Sequence, residues 1–159
     1  MSSWRAMLCA GRGGLAAAAL GLALAPASLA HAFQLVTPQE AALPAADPPT
    51  LALRGSPTRR PNVTVVSPPA GAGLVHSPLA LKIKFHAFGG AAIDPDSVIV
   101  TYLKQPAIDV TQRLAKAITA DGVELDQVEA PPGAHHFWVE VKDNSGRIGA
   151  AELSFTVAP

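Results

Sequence analysis

The sequence predicts an all-β fold in which antiparallel strands close into a sandwich or barrel, with one short inserted helix. Three observations predict it. From Asn62 onward the 159-residue chain breaks into short segments of alternating apolar and polar residues, the period of a strand with one buried face. Turn formers stand between those segments: Pro68-Pro69, Gly89-Gly90, Asp94-Pro95-Asp96-Ser97, Pro131-Pro132-Gly133 and Asp143-Asn144-Ser145-Gly146. One stretch, 106–119, departs from that period and carries Val110, Leu114 and Ile118 at the i, i+4, i+8 spacing of a helix face.

Residues 1–32 read as a secretory signal peptide. Arg5 and Arg12 stand without an acid, an apolar run follows over 15–25, and Ala30-His31-Ala32 supplies an A-x-A cleavage site. The run is shorter than the roughly 20 apolar residues that cross a bilayer, so no transmembrane anchor is expected after cleavage. A cut after Ala32 leaves Phe33 first; a cut after Ala30 leaves His31, whose α-amine and ring could together chelate copper. Either cut removes Cys9, the single cysteine, and leaves ten basic residues against twelve acidic ones.

Residues 33–61 are expected to be a disordered Pro/Ala-rich linker. Pro38, Pro44, Pro48, Pro49, Pro57 and Pro61 interrupt the segment without any sustained period, and each removes a backbone donor and fixes φ. Arg59-Arg60 reads as a solvated pair within it, and Asn62-Val63-Thr64 matches a glycosylation acceptor.

The third region, 62–159, holds the strands. They are expected at 63–67, 79–88, 97–103, 123–128, 135–141 and 148–157. In the second of these, Leu81, Ile83, Phe85 and Ala87 point inward and Lys82, Lys84 and His86 outward. In the fifth, Phe137, Val139 and Val141 point inward with His135, while His136, Trp138, Glu140 and Lys142 share the outward face. The helix at 106–119 is expected to start at Asp109 as N-cap and to cover Ile99 and Leu103, which the alternation leaves on the outside.

Charge and composition exclude several functions. A balance of twelve Lys+Arg and twelve Asp+Glu provides no basic stripe for nucleic acid. No G-x-S-x-G elbow, H-E-x-x-H pair or phosphate-cradling glycine loop occurs, and no nucleophile stands with an obvious base. The chain therefore reads as non-catalytic, with no cofactor and no assigned metal. His86 and His136 could approach as a metal-binding pair if their strands lie side by side; each also reads as a solvated strand position. Asp94, Asp96, Asp143 and Asn144 could supply oxygen ligands to calcium, or simply cap backbone amides in their own turns. Asp121, Glu124, Asp126 and Glu129 read as the exposed face of a short strand.

From Asn62 to Val157 the chain resembles a bacterial immunoglobulin-like domain of exported proteins, a group that includes fibronectin type III-like repeats. The resemblance rests on Ser67-Pro68 ending the first strand, on Ile93-Asp94-Pro95-Asp96-Ser97-Val98, on Pro132-Gly133-Ala134-His135 before Val139, Val141 and Asp143, and on Gly146 before a last strand ending Phe155-Thr156-Val157. It implies an immunoglobulin-like antiparallel β-sandwich that acts as a spacer or binding module. The inter-sheet cysteine pair of antibody domains is missing, and the helix is an insertion.

A thinner resemblance is to periplasmic copper-resistance carrier proteins. It is carried by Ser67-Pro68-Pro69-Ala70, by Ala80-Leu81-Lys82-Ile83-Lys84-Phe85 and by His31 as a first residue. That resemblance implies copper held by an N-terminal histidine and an Asp-x-His element near the last hairpin. Asp143-Asn144-Ser145 has serine where that histidine would stand.

The expectation is an exported module, periplasmic or secreted, that binds a protein or cell-envelope component through a sheet face. The residues expected on that face are His86, His136, Trp138 and Glu140, with Trp138 as the anchor because tryptophan is over-represented in interface hot spots. The alternative is a periplasmic protein that binds copper or calcium.

Overall fold

The computed structural model describes residues 33–49, 59–69 and 71–159. The expected signal peptide, both cleavage positions and His31 lie outside the described residues, as does the stretch 50–58 of the expected linker.

The described residues form two packed sheets. In the first, the order is β1 (Phe33–Gln34), β8 (Gly122–Glu129), β4 (Leu79–His86), β2 (Asn62–Ser67), with β7 (Ile118–Thr119) also on β8. In the second, it is β3 (Leu74–Val75), β10 (Ile148–Val157), β9 (Gly133–Asp143), β5 (Ile93–Tyr102), β6 (Ile108–Asp109). The long strands β2, β4 and β8 thus face β10, β9 and β5, with the chain crossing between sheets after β2, β3, β4, β6 and β8. That arrangement is the strand order of an immunoglobulin-like sandwich.

Alternation explains the core. Leu79, Leu81, Ile83 and Phe85 of β4 meet Val98, Val100 and Tyr102 of β5 and Phe137, Val139 and Val141 of β9 in one buried cluster. The inward and outward parity expected for β4 and β9 holds throughout. At Gly149 of β10 a Cβ would collide with the backbone carbonyl of Pro61 just before β2.

Three expectations are corrected. Residues 33–46 are not a tether. β1 pairs in parallel with β8, Phe33 opposite Val128, and Leu35 and Val36 are 1% and 0% exposed in the core. Burial of that kind stabilises by roughly 1.5–3 kcal/mol per side chain, enough to hold a segment that has no periodicity of its own. A second short helix follows, α1 (Pro38–Ala41), closed by a capping box in which the Thr37 hydroxyl accepts from Glu40 N and the Glu40 carboxylate accepts from Thr37 N.

The helix at 106–119 shrinks to α2 (Thr111–Leu114), a single turn between β6 and β7. Its Asp109 does not cap in the expected way: Val110 is the N-cap, and Asp109 Oδ1 accepts from Thr111 N at 2.8 Å. Val110 and Leu114 are buried in the sandwich core itself, so the helix face does not cover Ile99, which stays 42% exposed.

The expected turn at Asp94-Pro95-Asp96-Ser97 lies inside β5. Asp94 pairs with Lys142 and Ile99 with Glu140, so β5 accommodates a bulge there. The Ser97 hydroxyl donates to Asp94 O at 2.6 Å and accepts from Lys142 N at 2.9 Å, stitching the bulge to β9.

Candidate functional site

β9 is the central strand of the second sheet, and its outward residues set the candidate site. The register places Thr101 of β5 and Glu152 of β10 on either side of Trp138. Ile99 and Ala150 flank Glu140, and Ser154 lies opposite His136. Asp109 of β6 stands opposite Thr101, which extends the Trp138 row by one more strand. Directly opposed residues in antiparallel strands project from the same side of the sheet, so these side chains form one surface.

On that surface His136 Nδ1 lies 3.0 Å from Glu152 Oε1, both side chains substantially exposed. Trp138 is half-buried, and its indole Nε1 is buried without a hydrogen-bond partner. The ring therefore turns its N–H edge away from solvent, and what it offers outward is carbon. An unpaired buried donor costs about 1–3 kcal/mol, and an exception of this kind calls for an explanation.

The fourth expected face residue lies elsewhere. His86 belongs to β4, in the first sheet. It is exposed and meets the Phe88 ring edge-on, centroids 4.6 Å apart. β4 pairs only with β2 and β8, whereas β9 pairs with β5 and β10. The two strands are not neighbours, so the expected approach of His86 and His136 is corrected: they occupy opposite outer faces of the sandwich.

Among the other histidines, His76 is an exposed loop residue. His135 points into the core as expected and is fully buried. Its Nε2 lies 2.8 Å from Pro131 O, so this nitrogen carries the proton and donates; Nδ1 then accepts from the Tyr102 hydroxyl at 2.9 Å. Burial pushes the His135 imidazole below its ordinary pKa and, with a smaller contribution from the Glu40 charge, pushes the Tyr102 phenol up to about 12. Both groups stay neutral, and both are structural.

Polar anchors missed by the sequence reading secure the N-terminal segment beside this pair. Lys104, 8% exposed, donates from Nζ to Ala41 O at 2.8 Å and Leu43 O at 3.0 Å and lies 5.3 Å from the Tyr102 ring centroid. Arg113 donates to both Glu40 oxygens and to Leu35 O. The signal that could have exposed α1 is Thr37-Pro38-Gln39-Glu40, a capping-box spacing with proline at the first helical position.

The two turns considered for calcium adjoin through backbone contacts, since Ile93 pairs with Asp143 and Asn144 N donates to Ala92 O at 2.9 Å. Asn144 Oδ1 accepts from Ala92 N, and the Asp94 and Asp143 carboxylates accept from nearby donors. Asp94 Oδ1 accepts from Asp96 N. Asp143 Oδ1 accepts from the backbone of Ser145 and Arg147, and its Oδ2 accepts from Arg147 Nε at 2.7 Å. Burial alone would raise the Asp143 carboxyl, but these donors hold it below its ordinary value. Glu124 and Asp126 are exposed as expected and share Lys82. Among the described residues no group of three His, Cys, Asp or Glu gathers to hold a metal ion.

No family model matches this chain. No curated protein matches it either. Among solved structures it is similar to the crystal structure of CopC from Methylosinus trichosporium OB3b, with 20% identity over 61% of this chain and 94% of that one and a TM-score of 0.41. The Asp-x-His element implied by the copper-carrier resemblance does not fit this hairpin. Asp143 is spent on Arg147, and Ser145 contributes a backbone N–H where an imidazole would be required.

Proposed function

We propose that this chain is an exported, non-catalytic immunoglobulin-like binding module, and that the outer face of its second sheet, centred on Trp138, takes a protein or cell-envelope ligand in the periplasm or outside the cell. The observation that carries the reading is Trp138 itself. An aromatic ring stands on the central strand, with its donor unpaired and its carbon surface outward. His136 and Glu140 flank it along β9, and exposed Ile99 adds apolar surface in the next row. Interfaces concentrate their energy in such anchors, rimmed by polar groups.

Export is supported by the charged, apolar and small-residue segments of the first 32 positions, in the order a signal peptide requires. No helix among the described residues is long and apolar enough to cross a membrane. A finer assignment within the immunoglobulin-like group rests on the turn and strand residues around Pro68, Pro95 and Gly146.

The test is retention of periplasmic components by the immobilised chain and by its Trp138→Ala variant. A component retained by the first and lost from the second supports the reading. Equal retention, or none by either, overturns it.

A further inference from the structure

We infer that the occupant of the Trp138 face is an extended basic segment of a partner protein, held through lysine or arginine side chains. This inference rests on the binding-face reading above and names the chemistry of the partner.

The charges on the face point one way. Asp109, Thr101, Trp138 and Glu152 lie in one row across four strands, which places carboxylates on both sides of the indole. Strand spacing near 4.8 Å separates the two carboxylate positions by roughly 14 Å. Glu140 stands two residues along β9 from Trp138, about 6.8 Å away. Lys142 is the one ammonium on the same strand face, one row beyond Glu140.

Those intervals match a peptide in extended conformation, whose alternate side chains also repeat at about 6.8 Å. Between the Asp109 and Glu152 positions the row holds Thr101 and Trp138, and Ile99 lies in the adjoining Glu140 row. Exposed Ile99 and the carbon surface of Trp138 can take the methylene stems of lysine or arginine, while the cationic heads reach Glu140, Glu152 or the indole face. Asp109 already accepts from Thr111 N and Glu152 meets His136, so Glu140 is the carboxylate of the face without a partner among the described residues, and an anionic ligand would be repelled by all three. His136 adds to the selection, because its contact with Glu152 positions that carboxylate beside the ring.

The experiment uses the full chain with Trp4→Phe, which leaves Trp138 as the single tryptophan. Acetylated hexa-arginine is titrated while Trp138 fluorescence is followed, with hexa-glutamate and an uncharged Gly-Ser hexamer as comparisons. Saturable change with hexa-arginine alone, weakened by added salt, is the expected result. Glu140→Gln combined with Glu152→Gln should weaken binding about tenfold at low ionic strength without moving the thermal unfolding midpoint.

No response to hexa-arginine at millimolar concentration, equal response to the other hexamers, or undiminished binding by the double variant overturns the basic partner. The binding face falls separately, if Trp138→Ala and Trp138→Phe retain periplasmic components as the parent does. A face that survives that comparison while hexa-arginine fails has a partner of other chemistry.

Discussion

The Arg113 guanidinium grips the Glu40 carboxylate through both of its oxygens, Nη1 to Oε2 at 2.8 Å and Nη2 to Oε1, across 73 residues of sequence. Glu40 also closes the capping box of α1, so one carboxylate fastens a helix to itself and then to the sandwich. The Arg113 hydrogen bonds hold it at about 2, against an ordinary value of 4.5.

A carboxyl whose folded pKa is depressed contributes stability above its unfolded pKa and loses that contribution as pH falls toward the folded value. Glu40→Gln should therefore cost on the order of 2 kcal/mol at pH 7, once the shift is discounted for partial solvent exposure. The difference between variant and parent should shrink as pH falls from about 4.5 toward 2. Urea unfolding at a series of pH values measures it, and a difference independent of pH would refute the ion-pair account.

Leu35→Ala distinguishes a packed N-terminal segment from a tether. Leu35 is 1% exposed, and truncating such a side chain costs about 2–5 kcal/mol. A solvated linker would show no change. Denaturant midpoints decide between the two.

Tyr102→Phe removes the hydroxyl that donates to His135 Nδ1 and should cost about 1–3 kcal/mol, because the buried acceptor is left unpaired. Burial depresses the His135 pKa, so its neutral form stabilises the fold above the ordinary value of 6.5 and that contribution is lost as pH falls through the lower folded value. In NMR titration the His135 ring signals should stay those of the Nε2–H tautomer at pH 6.5. A midpoint at or above 6.5 would contradict that assignment.

Arg147→Met strips Asp143 of its side-chain donor. The thermal midpoint should drop, and the carboxyl should lose part of what holds its pKa down. The same hairpin should bind no copper: parent chain dialysed against Cu(II) and then buffer should show no metal whose loss follows Asp143→Asn. Stoichiometric copper that disappears with that substitution would mean the hairpin opens to a ligand.

Gly149→Ala places a methyl group against the Pro61 carbonyl. Overpacking of this kind costs about 1–3 kcal/mol, read as a lower unfolding midpoint. An unchanged midpoint would show that β2 and β10 are free to separate there.

The long strands, and the facing of the side chains along β4 and β9, were legible in the sequence, because period-2 alternation is a local property of the pleat. The outward set His136, Trp138, Glu140 follows from it directly. What the sequence could not decide was which strands are neighbours. Pairing joins segments far apart in the chain, and alternation alone is the same for every choice of partner. Hence His86 fell in the other sheet, and Glu152, Thr101 and Asp109 joined the Trp138 row. Residues 33–46 escaped for the same reason. Two buried side chains, a guanidinium 73 residues away and a lysine cap supply their stability, and contacts of that range leave almost no period behind in the residues they hold.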